Sequence, residues 1–501
     1  MPGPVGITDC GCGEMIEFEN VSFNYLRTEQ ASVRNINLKI NKGETVLLCG
    51  ESGCGKTTLI RMINGLIPHF YEGRMNGSVS VAGMDTTEAE LYETAKVVGS
   101  VFQNPRSQFF CVDSTSELAF GPENMGLPEE EIRERIDTTV ALMKIRSLMD
   151  RSIFEMSGGE KQRIACASVD TLNPEVCVLD EPSSNLSLEA IEDLKNTLLG
   201  WKEEGRTIVV AEHRLYWLKD ICDRVICLKE GRIIFDIPMR EFKNLSEEDL
   251  RCHGLRAVNE NLTMIPVKTE SINTETITFE KLIYNYRNCD ALNIKNLEIP
   301  RNEIIAVVGP NGAGKSTFSK CICGLMRGFK GNAVIGGKKL KGRNLLKSAY
   351  MVMQDVNHQL FCETVMDEVT LGMNEENEDR VLEILDKLGL KELSNRHPMS
   401  LSGGQKQRVA VASALLSDKD IILFDEPTSG LDFYNMERVA ELIWSLRGQK
   451  TVFVVTHDPD LVRRCATVVL RLENGHVVNT NSGGEMKDYE REKEKCYCAA
   501  V

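Results

Sequence analysis

Short apolar runs, each about as long as one buried strand, recur at matching places in the two halves of the chain. Residues 45–49 and 304–308 are rich in valine, leucine or isoleucine, and each run leads into a glycine-rich stretch followed by a helical pattern. The order predicted is strand, loop, helix, twice. Further short runs precede Gln103 and Gln354, fill 176–179 and 421–424, and end at His213 and His457. No stretch approaches the roughly 18 to 20 consecutive apolar residues that span a bilayer.

The glycine-rich stretches read Gly50-Glu-Ser-Gly-Cys-Gly-Lys-Thr-Thr58 and Gly309-Pro-Asn-Gly-Ala-Gly-Lys-Ser-Thr317. Both fit the phosphate-binding pattern G-x-x-x-x-G-K-[ST], so two nucleotides are expected per chain. Gly50, Gly53 and Gly55, with Gly309, Gly312 and Gly314, let the backbone turn its N–H groups toward phosphate oxygens, backed by the positive end of a helix. Lys56 and Lys315 stand where an ammonium reaches the β- and γ-phosphates, Thr57 and Ser316 offer a hydroxyl to Mg²⁺, and Thr58 and Thr317 complete the motif. One such match can arise by chance; two in the same context argue against it.

At 501 residues the chain exceeds one core, and about 150 to 250 residues per domain gives two similar domains. The boundaries expected are a tail at 1–14, a first domain at 15–245, a linker at 246–275, a second domain at 276–480 and a charged tail at 481–501. A composition of 42% hydrophobic and 27% charged residues is that of a globular protein. The net charge of −15 argues against a nucleic-acid-binding surface, which needs an excess of lysine and arginine. The first residues have neither the basic start nor the apolar core of a signal peptide, so a cytosolic chain is expected. Its 17 cysteines then read as reduced, small hydrophobes. The close pairs Cys10/Cys12, Cys321/Cys323 and Cys496/Cys498 lack the spacing of a zinc site. The last four residues formally fit a prenylation box, though a frayed tail ending in small residues explains them as well.

Aligning the halves on their lysines exposes a second layer of repeats in one order. Tyr25 and Tyr286 precede the loops; Gln103 and Gln354 follow them. Then come Met156-Ser-Gly-Gly-Glu-Lys-Gln162 and Leu401-Ser-Gly-Gly-Gln-Lys-Gln407, the pairs Asp180-Glu181 and Asp425-Glu426, and finally His213 and His457. Ser157 to Asp180 and Ser402 to Asp425 each span 23 residues. Between lysine and glutamine the first half is eight residues longer, which places an insertion near residues 68–77.

This constellation resembles the ATP-binding cassette (ABC) ATPases over nearly the whole chain. The resemblance implies an α/β fold of two tandem P-loop NTPase domains, each with a mainly parallel RecA-like core, an antiparallel β subdomain and a helical signature subdomain. It implies ATP hydrolysis with Mg²⁺, two ATPs lying between phosphate loops and Ser-Gly-Gly segments of opposite cassettes. The signature residues are Ser157, Gly158 and Gly159, and Ser402, Gly403, Gly404 and Gln405. Asp180 and Asp425 would hold Mg²⁺, since an aspartate ending a buried strand is costly without a cation. Glu181 and Glu426 would polarise the attacking water, and His213 and His457 would bond the γ-phosphate. Gln103 and Gln354 would touch Mg²⁺ or water, and Tyr25 and Tyr286 would stack on adenine. Taken singly, a strand-end histidine or surface tyrosine is more often structural; the repeated order favours function.

The halves differ at one point. After Glu426 the chain reads Pro-Thr-Ser-Gly-Leu-Asp432, but after Glu181 it reads Pro-Ser-Ser-Asn-Leu-Ser187, and Glu160 stands where the second half has Gln405. Both departures fall on one composite site; two working sites are the default, since both keep the glutamate, and as a refinement the site of Lys56, Glu181 and His213, completed by Ser402 to Gln405, is expected to hydrolyse faster. Cys54, near a helix start, is expected to be a reactive thiol.

The text Gln103-Asn-Pro-Arg-Ser-Gln-Phe-Phe110, then Glu117-Leu-Ala-Phe-Gly-Pro-Glu-Asn124, is similar to ATPases of energy-coupling factor (ECF) importers; the second half echoes it loosely as Gln354-Asp-Val-Asn-His-Gln-Leu-Phe361. That resemblance implies a peripheral protein at the cytoplasmic face of the membrane, partnered by an integral-membrane coupling (T) protein and a substrate-binding (S) protein. The cargo would be a vitamin, a vitamin precursor or a transition metal ion, and the cassettes would pair within or between chains. Phe109, Phe110 and Phe361 would line the groove that receives the partner's helix, or else belong to the core. The rivals are another tandem importer ATPase and a soluble ABC-F ribosome factor. The latter has a long charged helical linker, whereas residues 257–276 are short, polar and broken by Pro266.

Overall fold

The computed structural model describes residues 13–26, 32–184, 186–257, 275–286, 289–329, 331–373 and 377–481. The two tails and most of the expected linker lie outside the described residues. The chain divides into units Met1–Asn259 and Glu260–Val501, each an α/β assembly of two sheets and a helical layer.

In the first unit the main sheet has the order Arg232–Pro238, Arg224–Lys229, Thr45–Gly50, Thr207–Ala211, Val176–Asp180, Val98–Val101, parallel except for the first strand. The second unit repeats it with Ala349–Val352, Ile421–Asp425, Thr451–Val455, Ile304–Val308, Val468–Glu473 and His476–Asn481. Central parallel strands are covered on both faces, which is why their sequences run apolar without alternation. Period two reappears in the packing: Val46 and Leu48 join the core under the antiparallel sheet, while Leu47 and Cys49 join the opposite core with Leu198, Trp201 and Ile208.

The antiparallel sheet of the first unit orders Val33–Asn41, Glu14–Tyr25, Gly73–Val81 and Met84–Asp85; that of the second orders Cys289–Pro300, Thr276–Tyr286, Asn332–Ile335 and Lys338–Leu340. The inserted residues lengthen Gly73–Val81, which follows its neighbour as far as Tyr25, whereas Asn332–Ile335 meets Thr276–Tyr286 at Thr278, Phe279 and Glu280. Helices Ser114–Asn124, Glu129–Leu142 and Gly158–Asp170 form the third layer of the first unit around Leu118, Val140, Leu148 and Ile164. Residues 246–255, expected to begin the linker, instead carry the helix Glu247–Cys252, capped by Ser246 and Asp249, and bury Leu250 and Leu255 in the first unit's core.

Parallel strands gather their carboxyl ends at one edge, where α/β proteins bind ligands. Gly50, Asp180 and Ala211 each end a strand there, and Val101 ends the strand leading to Gln103.

Candidate functional site

The phosphate loops owe their shape to glycine. A Cβ on Gly50 would lie 2.2 Å from the Leu228 carbonyl oxygen and one on Gly309 2.1 Å from that of Leu472, both at positive φ, so no larger residue fits. Gly55 and Gly314 are left-handed N-caps of helices Lys56–Ile63 and Lys315–Ile322 and supply no side-chain cap, so the first-turn N–H groups face the loop. Gly53 and Gly312 also adopt positive φ, with open space around them. Lys56 Nζ donates to the carbonyls of Gly50 and Glu51 at 2.9 Å each, and Lys315 Nζ to those of Gly309 and Pro310 at 2.7 and 2.9 Å. Each ammonium is thereby folded back over its own loop.

Thr57 Oγ1 donates to Asp180 Oδ1 at 3.1 Å, joining the loop to the strand that carries the acidic pair. Burial, reinforced by the adjacent Glu181 charge, pushes the Asp180 carboxyl up to about 6. Burial likewise takes Asp425 to about 6, with Lys315 and Lys320 pulling the other way. Glu181 and Glu426 sit in the left-handed region, φ 45° and 51°, unusual for a glutamate. Their N–H groups still bond Ala211 and Val455 across the sheet at 2.8 Å, so the strained turn is held from below and aims each carboxylate over the strand edge. Burial works to raise the Glu181 carboxyl, but His213, Lys56 and Gln103 outweigh it and hold it below the ordinary range.

Gln103 Nε2 donates to Glu181 Oε2 at 2.6 Å, and His213 Nε2 lies 3.2 Å from Glu181 Oε1 without the alignment of a hydrogen bond. In the second unit Glu426 accepts from Thr456 Oγ1 at 3.1 Å and the His457 N–H at 3.3 Å, with His457 Nε2 3.9 Å away. Lysine, hydroxyl, acidic pair and histidine thus converge in the first unit, and in the second Lys315 acts on Asp425 while Glu426 meets Thr456 and His457. Gln103 joins the first group, while Gln354 is exposed beyond the strand Ala349–Val352. Ser316 follows Lys315 on its helix; Thr58 and Thr317 are buried in theirs.

Tyr25 is half-buried, its hydroxyl accepting from Arg61 Nη1 at 3.1 Å and lying 3.4 Å from Thr58 Oγ1, with Phe23 and Tyr71 edge-on to its ring. Tyr286 is more open and meets Tyr284 edge-on. Ser157 and Ser402 cap helices Gly158–Asp170 and Gly403–Leu416 through reciprocal bonds with Glu160 and Gln405, so the acid and the amide do the same local work. Ser187 and Asp432 are alike too, both capping the next helix. Gly158, Gly159, Gly403 and Gly404 open the first turns of the signature helices.

Cys54 does not fit the expectation of a reactive thiol. It is buried, and burial raises its thiol against the opposing pull of Lys56. Phe109 packs on the helical-layer core, whereas Phe110 and Phe361 are 75% and 72% exposed.

Sequence reasoning missed two pairs of supporting residues. Buried Glu117 accepts from the N–H groups of Phe110 and Cys111 at 3.0 and 2.8 Å, and buried Glu368 from those of Phe361 and Cys362 at 2.8 and 2.9 Å. Gln108 and Gln359 close the same segments by accepting from the N–H groups of Phe102 and Met353 at 3.2 and 3.1 Å. The signal was present as the repeated second glutamine and the acid that opens the following helix.

Two complete phosphate-loop cassettes, each with its acidic pair and strand-end histidine, define a tandem P-loop ATPase. The profile of the ABC transporter family matches residues 33–184 and 292–429, and the chain belongs to that family. It is 42% identical to a Treponema denticola protein named "Putative ABC transporter ATP-binding protein", over 96% of this chain and all of that one. A Methanosarcina acetivorans protein of the same name is 34% identical over 92% of this chain and 85% of its own length. Among solved structures, the complex of archaeal ribosomal stalk protein aP1 with the ribosome recycling factor aABCE1 has a chain that is similar with a TM-score of 0.64, at 21% identity, over 95% of this chain and 92% of that one. That likeness bears on the tandem fold alone. The protein is an ATPase, and among its described residues no helix is long and apolar enough to cross a membrane.

Proposed function

We propose that the chain powers a membrane importer of the ECF type, hydrolysing two ATPs to ADP and phosphate at sites each closed by a Ser-Gly-Gly segment from a second cassette of the same or another chain. The observation that carries this reading is the continuous path from Glu181 to an exposed aromatic. Gln103 bonds Glu181, Gln108 and Glu117 fix the backbone that follows, and Phe110 emerges stacked on Phe120 with rings 4.9 Å apart. Val112 and Phe154 in the first unit, and Phe361, Leu371 and Met399 in the second, are also exposed. Apolar side chains on a rigid segment suit an amphipathic helix of a coupling (T) protein, itself bound to a substrate-binding (S) protein. The chain would then act at the cytoplasmic face of the membrane.

The residues present suit magnesium nucleotide. His213 Nε2 is buried with no hydrogen bond, Lys56 and Lys315 are held at the loops, and Asp180 and Asp425 are buried carboxylates that a cation would relieve. Thr57 with Asp180, and Ser316 with Asp425, would hold Mg²⁺, which supplies charge for the phosphate oxygens when bound. Glu181 or Glu426 orients a water and takes its proton as the water oxygen bonds the γ-phosphorus and the bond to the β-phosphate oxygen breaks. His213 or His457 donates to a γ-phosphate oxygen, and the lysines steady the leaving diphosphate.

Purification of the tagged chain from detergent-solubilised native membranes tests the reading. Recovery of one integral coupling protein with a small substrate-binding membrane protein is expected. Recovery of ribosomes, or of no membrane protein, would refute an importer.

A further inference from the structure

The strand Thr207–Ala211 ends beside the first site, and the next residue is a buried glutamate, 2% exposed, that the hydrolytic roles above leave unused. Glu212 Oε1 accepts from the Ser183 N–H at 3.0 Å and from the Ser183 hydroxyl in a very short bond. Its Oε2 accepts from the N–H groups of His213 and Arg214 at 2.7 and 3.1 Å. Both oxygens are therefore engaged, one by the turn that follows Glu181 and one by the backbone of His213. Its own N–H bonds the Leu48 carbonyl at 3.1 Å, anchoring the group to the strand that feeds the phosphate loop. Arg214 adds to the same frame, with Nη1 3.5 and 3.4 Å from the carbonyls of Ser183 and Leu186.

The second unit solves the problem differently. Thr456 stands at the place of Glu212, and its hydroxyl donates to the catalytic Glu426. The bridging carboxylate has moved to Asp458, which accepts from Thr428 Oγ1 at 2.9 Å and from the Asp460 N–H at 3.1 Å. A buried carboxylate accepting several donors is a rigid clamp, since freeing any one of them leaves a polar group unsatisfied.

We propose that Glu212 is the positioning residue of the first site: its carboxylate clamps the turn after Glu181 to the backbone of His213, so that base and histidine are held as one body. The inference rests on the reading of Glu181 and His213 as hydrolytic groups. An amide at this position offers one acceptor oxygen and turns an N–H₂ toward donors, so one half of the clamp opens while the side chain keeps its shape.

The test is a double-mutant cycle on the full chain carrying Glu426→Gln, so that turnover reports the first site, with Glu212→Gln, His213→Ala and the pair, reading kcat and KM for ATP together with thermal unfolding. Glu212→Gln is expected to lower kcat about tenfold with KM within about twofold, and to add less than about twofold once His213 is alanine. A full additional tenfold loss on the His213→Ala background would overturn the clamp. If His213→Ala lowers kcat and Glu212→Gln does not, the clamp fails and the hydrolytic reading stands; if His213→Ala is without effect, both fail. Should Glu212→Gln not fold, Ser183→Ala removes one donor and keeps the carboxylate. It is expected to give the same split of kcat from KM at smaller size, and unchanged kcat would overturn the proposal.

Discussion

Gln103 donates from Nε2 to Glu181 Oε2 at 2.6 Å, so the residue opening the exposed aromatic segment touches the glutamate proposed to polarise water. On that proposal the base would exchange the amide for a water before it acts, and movement of the segment would set that exchange.

Replacing either partner should therefore separate two effects. Glu181→Gln removes the base, and a loss of about 10²-fold or more in first-site hydrolysis is expected, with ATP binding kept. Gln103→Ala leaves the base in place, and a smaller loss of about tenfold is expected. Nucleotide-binding titrations beside steady-state ATPase rates check this. Equal losses in the two variants would place Gln103 in the chemistry itself.

The buried aspartates predict a pH dependence. Asp180 and Asp425 titrate near 6 in the folded chain against 3.8 ordinarily, so between those values the folded state holds more protons than the unfolded one. Stability of the metal-free protein consequently falls as pH rises from about 4 to 6, by on the order of 3 kcal/mol for each fully shifted group, and stays low above that window. Asp180→Asn should then raise the melting temperature of the metal-free chain at pH 7 and leave it nearly unchanged at pH 4. Melting curves of both forms across that range decide it, and a variant that is destabilised at pH 7 would show that burial of the charge is not the cost assigned to it.

How far the sequence led depends on how local each signal is. The strand Thr45–Gly50 and its glycines were legible because unbroken apolarity and a fixed loop pattern sit within a few residues of one another. Glu212 was not, because its partners Ser183 and Arg214 meet only in the fold, and the second unit carries the bridging carboxylate at Asp458 instead. Glu117 and Glu368 lay in plain view inside a repeated segment, yet their work is to hold backbone N–H groups several residues upstream, which only the turn reveals. The helix Glu247–Cys252 passed for linker because so short and acidic a segment carries its case in Leu250 and Leu255 alone.

The exposed ring at Phe110 predicts a partner effect without a folding effect. It is 75% exposed, so Phe110→Asp should leave thermal unfolding within about a degree or two of the parent. If the proposed coupling protein seats there, its recovery should fall by about 30-fold, the loss of one apolar anchor of roughly 2 kcal/mol. Quantitative pull-down from solubilised membranes reads this out. Undiminished recovery would mean that the partner seats elsewhere.

The last expectation concerns inequality of the two sites. The departures that suggested it are locally silent: Ser187 caps its helix as Asp432 does, and Glu160 closes its capping box as Gln405 does. What differs is charge, since Glu160 is an anion paired with Arg151 at 2.8 Å where Gln405 is neutral. An anion facing a nucleotide's phosphates is unfavourable. In the composite arrangement implied by the family resemblance, Glu160 would act on the nucleotide held by Lys315, leaving the site of Lys56, Glu181 and His213 the faster. Glu181→Gln is therefore expected to remove more of the full chain's ATPase activity than Glu426→Gln, and Glu160→Gln to narrow the gap. Equal losses from the two glutamate variants would mean that the sites turn over alike, whatever their sequences.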